Sequence, residues 1–414
     1  MGNGARLFAT LALAVGTVGC AATFYESQPE APPPEAPPVA ATEPEVSGDA
    51  GFFYDSLSPY GAWTTVATYG VVWVPRVDPW WRPYSDGRWV YTDAGWTWVA
   101  NEPWGWAAFH YGRWYWDAGF GWTWVPGTVW APAWVAWRSG GGHIGWAPLP
   151  PQVRWEARGG LSYRGGDFTA VIAPQNWCFV EERDITAPSL REVVVPRARN
   201  VTFVNVTNNI TNYTVIDNRI VNNSVEVNRI EQVTSRPVPR YRIADRESPA
   251  ALQTSGASGD EIPMVRRLPA GRRDAGGGAG AADRREPAVR NDVRAPVTAR
   301  PPAPMVTGAE TADELNRRHL AEQKALAAHE AEAKARLQAI QRSDQAQATG
   351  AAEQVRARHL AEQKALEAQQ HDEAKVLQAR HQRELENAKK VRGKGTPPAK
   401  PTPKPKPSNE DDKH

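Results

Sequence analysis

The sequence predicts a mainly β protein: an antiparallel meander of Trp-rich hairpins forming a small barrel or sandwich, with disordered linkers and a C-terminal α-helical arm. Three observations predict it. All 19 Trp residues of the 414-residue chain lie between Trp63 and Trp177. Within that region Gly and Trp recur together with a period of about 25 residues, in the range of repeat architectures. Beyond residue 310 the composition turns to Ala, Glu, Gln, Lys, Arg and Leu, which favour helix.

At the N-terminus, Arg6, the apolar run "LFATLALAV" and "TVGC" at 17–20 read as a secretory signal peptide over residues 1–20. The run is too short to span a bilayer as a mature helix. Small Gly19 before Cys20 suits a lipoprotein signal peptidase, which makes Cys20 the expected lipidation site and a lipid anchor the expected membrane contact. Several acyl chains anchor stably where one is marginal. Thr17 departs from the usual Leu of such signals, and the alternative is ordinary cleavage without lipid. Ala21 rather than Asp follows the cysteine, which by resemblance to sorting in double-membrane bacteria favours the outer membrane. Residues 21–50 are rich in Pro, Glu and Ala and read as an extended tether.

Residues 51–151 form the repeat module. "YGAWTTVATYGVVWV", "DGRWVYTDAGWTWV" and "YGRWYWDAGFGWTWV" align on Gly and Trp. Side chains two apart in a strand share a face, so a turn at "TDAG" sets Tyr91 opposite Trp96 and Trp89 opposite Trp98. A turn at "DAGFG" pairs Trp116 with Trp122 and Trp114 with Trp124, and one near "VATYG" pairs Trp63 with Trp73. In "WVAWRSGGGHIGWAPL", Gly141 and Gly142 tolerate the positive φ of a tight turn, and Trp137 faces Trp146. Cross-strand aromatic pairs contribute about 0.5 to 1.5 kcal/mol beyond area burial. An isolated hairpin is marginal, so several must share one aromatic face.

Between the hairpins stand Trp80, Trp81, Trp104, Trp106, Trp130 and Trp134, in "DPWWRPY", "NEPWGW" and "VWAPAW". Pro and Gly neighbours exclude regular pairing there and place these rings on corresponding loops. Two readings stand. The rings line one surface, ready to stack on sugars or dock a protein with Arg82, Asp86 and Glu102 supplying polar contacts, or they fold back to close the ends of a barrel.

Residues 152–244 alternate β-branched runs with Asn and predict brief strands that extend or flank the module. Cys178, among apolar neighbours, reads as buried, and the apparent sequon at Asn209 as a product of Asn and Thr richness. Residues 245–310 are Gly, Ala, Pro and Arg without periodicity and are expected to be disordered. Residues 311–392 form the helical arm: "RHLAEQKAL" at 318–326 recurs at 358–366, and a break at Thr349 and Gly350 divides two helices, near 312–344 and 351–390. Leu326, Ala333, Leu337 and Ile340 follow heptad spacing, but Ala, His and Gln fill too many seam positions for a strong coiled coil. A weak helical hairpin, or self-association through it, is expected. Residues 393–414 read as a Lys/Pro-rich disordered tail.

The chemistry expected of this chain is sparse. Against 48 basic residues stand 46 acidic ones, a net charge of +2, so no global field draws nucleic acid. Two cysteines make no disulfide framework. "RSGGGHIG" lacks the lysine and strand-to-helix context of a phosphate loop, and His143 beside it has no nucleophile or orienting acid at a recognisable spacing. Asp93 and Asp117 occupy matching turn positions. No catalytic residue, metal ligand or cofactor is expected.

"YDSLSPYGAW", "RPYSDGRWVYTDAGWTWVANEPWGWAAFHYGRWYW", "GFGWTWVPG" and "IGWAPLPP", followed by the Asn-rich segment and "RPVPRYRI", resemble a tryptophan-rich domain-of-unknown-function family of bacterial envelope lipoproteins with YXWGXW-like aromatic repeats, over about residues 52–245. Some relatives carry FecR-like regulatory domains, which are not found in this chain. The resemblance implies a module and carries over no activity or binding residue. A looser likeness, to aromatic repeats of cell-wall-binding proteins, rests on "GW" and "W-x-W" spacing alone. The expectation is a non-enzymatic cell-envelope lipoprotein acting as a structural or interaction scaffold. The alternative is a module that binds peptidoglycan or exopolysaccharide through the loop tryptophans, and a third option is sensing beside a FecR-like system.

Overall fold

The structure is a computed structural model describing residues 50–156, 159–254, 259–268, 311–347 and 351–393. The expected signal peptide with Cys20, the tether, most of the expected linker and the Lys/Pro tail lie outside the described residues. The chain order is α1 (Gly51–Leu57), β1 (Gly61–Val66), β2 (Gly70–Pro75), β3 (Gly87–Thr92), β4 (Gly95–Ala100), α2 (Gly105–Ala108), β5 (Arg113–Asp117), β6 (Gly121–Val125), β7 (Val135–Gly140) and β8 (His143–Pro148). There follow β9 (Arg154–Glu156), β10 (Gly160–Ser162), β11 (Cys178–Glu181), α3 (Leu190–Val193), α4 (Asn200–Val206), β12 (Asn208–Asn209), β13 (Tyr213–Ile216), β14 (Arg219–Asn222), α5 (Val227–Thr234), β15 (Arg240–Asp245), α6 (Pro249–Thr254) and β16 (Glu261–Met264). Two long helices, α7 (Ala312–Gln347) and α8 (Ala352–Gly393), close the described chain.

Every predicted hairpin register is present. Trp63 pairs with Trp73, Trp89 with Trp98 and Tyr91 with Trp96, Trp114 with Trp124 and Trp116 with Trp122, and Trp137 with Trp146. Gly141 and Gly142, at φ 57° and 77°, make the two-residue turn of the last hairpin. A second device explains why a Gly opens each of the first three repeats. A Cβ on Gly61 would lie 2.4 Å from the Val74 carbonyl oxygen and 2.6 Å from the Trp73 ring. Gly87 has the same relation to Val99 and Trp98, and Gly112 to Val125 and Trp124. The indole of the second strand packs closely on the glycine, so a side chain there would displace it.

The hairpins do not follow one another in a single meander, and no barrel closes. The first and third share a sheet of order β1-β2-β6-β5, joined where Trp73 meets Trp124. The second lies in β13-β14-β4-β3-β15-β16, and the fourth in β11-β8-β7-β12. Their inner faces meet in one aromatic cluster holding Trp73, Trp89, Trp98, Trp114, Trp124 and Trp146. Trp89 reaches across sheets to Trp137, with ring centroids 4.5 Å apart.

Three expectations change. Residues 200–206 form a helix rather than a strand: Phe203 packs in the second core cluster, and the Asn200 amide donates to the carbonyls of Pro174 and Trp177, so tertiary contacts override β propensity. The segment expected to be linker from residue 245 contains α6 and β16. β16 pairs in parallel with β15 and buries Ile262 and Met264 against Val90 and Ala94. The helical arm, expected as a weak helical hairpin, is an antiparallel hairpin that docks against the module as well. α7 begins on a capping box in which the Glu314 amide donates to the Thr311 hydroxyl and the Thr311 amide donates back to the Glu314 carboxylate.

Candidate functional site

The six loop tryptophans do not line one surface. Trp104 and Trp134 are core residues, 4% and 1% exposed, with no face open to a ligand. Trp104 packs on Trp73 at 5.0 Å, and Trp134 lies under the Arg113 guanidinium at 3.8 Å. Half-buried Trp106 sits against Phe53. Half-buried Trp130 stacks on His110, with Arg266 over its ring. In these placements the rings pack on the aromatic clusters of the module.

Trp80 and Trp81 differ, because they meet the arm and a buried carboxylate. The turn that carries them is pinned by Arg82, whose guanidinium donates to the Trp177 carbonyl at 2.7 Å. Trp81 leans on Trp104 and Trp114, and its indole donates to Glu102 Oε1 at 3.0 Å. Burial pushes the Glu102 carboxyl up to about 7 against the pull of its own backbone amide and the Trp81 bond, with Asp86 adding repulsion. Glu102 Oε2 is buried without a hydrogen-bond partner. Asp86 accepts from the Asn101 amide at 2.8 Å and lies 3.7 Å from Arg191. Trp80 stacks face to face on His329 of α7, with centroids 4.5 Å apart and planes 12° apart.

The docked arm is held by charge. Arg197 pairs with Glu373 at 3.1 Å, both nearly buried. Arg199 reaches Glu362 and Asp344, each at 3.4 Å, and Thr202 donates to Glu362 at 3.0 Å. Arg380 donates to the Val77 carbonyl, and Arg383 to that of Gly119 while lying over Phe120. Apolar contact at this seam includes Ala198 against Ala333, Leu337 and Leu366, and Val376 of α8 beside Gly121.

Within the arm, "RHLAE" at 318–322 meets "RHQRE" at 380–384. His319 and His381 stack 3.8 Å apart, His319 Nε2 lies 2.8 Å from Glu384 and His381 Nε2 2.7 Å from Glu322, and Arg318 and Arg380 pair with the same two carboxylates. The third R-H-x-x-E was visible in the sequence, although sequence reasoning found only the 40-residue duplication. His329, Arg197, Arg199 and Glu373 carried no local signal, because their partners are far away in the chain.

The remaining candidates have structural roles. Asp117 accepts the Gly119 and Phe120 amides and closes its turn. Asp93 accepts the Ile243 amide and pairs with Arg219. His143 bonds the Gly141 carbonyl within its turn, and Cys178 is buried, its thiol pKa raised by that burial. Buried His110 bonds the Ala131 carbonyl, and burial presses its pKa down to about 4. Among the described residues no group of three or more His, Cys, Asp or Glu is arranged to hold a metal ion. No described helix is long and apolar enough to cross a membrane.

Residues 54–153 match a family of unknown function, DUF6600. The match takes in the four aromatic hairpins and ends before the Asn-rich segment that the sequence resemblance had included. No curated protein and no solved structure matches the chain.

Proposed function

We propose that this chain is a non-enzymatic cell-envelope lipoprotein, anchored through Cys20 and working as an interaction scaffold. The observation that carries the reading is the arm. Its duplicated nonapeptide leaves a leucine open at the same place in each helix, Leu320 and Leu360, at 52% and 54% exposure. The two leucines stand at matched positions of a duplicated segment, which makes them the points at which a protein partner is sought. A photo-crosslinking residue at Leu320 or Leu360 in cells is expected to trap a discrete envelope partner. Crosslinks no more frequent than at solvent-facing Lys324 would overturn the reading.

A second reading is glycan binding, favoured by one observation: half-buried Trp80 already carries a flat ring on its face, beside acidic side chains. Retention of the full chain on purified sacculi, lost in Trp80→Ala, is the outcome it expects. Failure of the wild-type chain to be retained would count against it.

A further inference from the structure

We infer that the Trp80 face is a binding platform for a pyranose chain, and that His329 of the chain's own arm occupies it in competition with that ligand. The inference rests on the glycan reading and adds a specific occupant and a specific competitor. Its geometry comes from two elements. The turn that carries Trp80 is pinned two residues further on by Arg82. α7 lays the His329 imidazole parallel to it at stacking distance, as the C–H face of a sugar ring would lie. Around the stack the body supplies Asp78, Arg191 and Arg197, and the helix supplies Glu332. A polymer offering ring faces together with hydroxyl and acetamido N–H donors complements that set. An aliphatic or purely anionic ligand does not.

Competition requires that the arm can leave, and its mode of docking permits this. A buried ion pair roughly balances its own desolvation, so Arg197–Glu373 and Arg199–Glu362 set the position of the arm without contributing much net affinity. The buried apolar cluster at the seam sets Ala198 against Ala333, Leu337 and Leu366, with Val376 beside Gly121 as a second apolar contact, and most of the links named between arm and body are polar. The covalent chain keeps the hairpin joined to the module whether docked or not, since β16 ends at Met264 and α7 begins at Ala312.

The test is titration of the full chain with a soluble N-acetylglucosamine oligosaccharide, followed by tryptophan fluorescence and calorimetry. His329→Ala is expected to bind about two- to tenfold tighter than wild type, the equilibrium equivalent of one aromatic contact. Arg199→Gln, which loosens docking without touching the platform, is expected to shift affinity in the same direction, and Trp80→Ala to abolish binding. Equal affinity in wild type, His329→Ala and Arg199→Gln would overturn the competition while leaving glycan binding standing. No binding by any variant would overturn the platform itself, and weaker binding by His329→Ala would show that the imidazole is part of the site.

Discussion

Alanine at three hairpin glycines separates two physical costs that usually arrive together. Gly70 sits at φ +69° with nothing within 4 Å of an added Cβ, so Gly70→Ala carries only the cost of left-handed backbone, about 1 to 2 kcal/mol. Gly61 is extended, at φ −171°, and its added Cβ would lie 2.4 Å from a carbonyl oxygen and 2.6 Å from the Trp73 ring. Gly61→Ala therefore carries only the steric cost, about 1 to 3 kcal/mol for overpacking. Gly112 combines φ +68° with a 2.2 Å approach to the Val125 oxygen, so Gly112→Ala should cost roughly the sum, about 2 to 5 kcal/mol if the terms add. The gain from stiffening the unfolded chain, about 0.4 to 1 kcal/mol, is common to all three and cancels between them. Urea denaturation followed by near-ultraviolet circular dichroism is the assay. Because every Trp lies between Trp63 and Trp177, the indole signal reports the aromatic module without interference from the arm. A Gly61→Ala chain more stable than wild type by the full unfolded-state gain, about 0.4 to 1 kcal/mol, would refute the claim that indoles are seated on the repeat glycines.

Four further outcomes are expected. His110 stays neutral when folded, with its pKa at about 4 against about 6.5 unfolded, so the unfolded chain binds the extra proton and stability falls as pH drops from about 6.5 to 4. The full loss is about 3 kcal/mol, and a flat urea midpoint across that window would contradict the burial argument. Glu102 has the opposite sign: raised to about 7, it stays protonated when folded while the unfolded carboxyl ionises, so its contribution falls as pH rises from about 4.5 to 7. Glu102→Gln should therefore be more stable than wild type at pH 8, with the advantage shrinking towards pH 4, as pH-resolved denaturation will show. Arg197→Met leaves the buried Glu373 without its ion-pair partner, with the Gln369 amide still donating to it, and should cost about 3 to 5 kcal/mol of docking, whereas Arg197→Met with Glu373→Leu should recover most of it; limited proteolysis of α7–α8 reads both. Cys20→Ala should move the chain from the membrane to the soluble fraction, and unchanged membrane partition would remove lipidation from the proposal.

What could be read from the sequence divides along the range of the interactions. Trp89 opposite Trp98 and Trp114 opposite Trp124 are decided within a dozen residues, where period-two alternation and a turn of fixed length leave one register that puts all rings on one face. The placement of those hairpins in different sheets is not local. It depends on Trp73 meeting Trp124 and on β14 and β15 returning in parallel to the two edges of the second hairpin, contacts that no short window encodes. The loop tryptophans failed to show their surroundings for a related reason. An indole has a large apolar face and one N–H, so Trp104 in the core and Trp80 against a helix read alike until their neighbours are known. Docking of the arm was hidden most deeply. Sequence patterning finds helix interfaces by their apolar stripe, and this arm buries His319, Glu362, Gln369, Glu373 and His381, residues that a one-dimensional reading assigns to solvent. Such positions become interior only when a specific partner answers each of them, as Arg197 answers Glu373 from 176 residues away. An interface of that kind specifies geometry more than it adds stability.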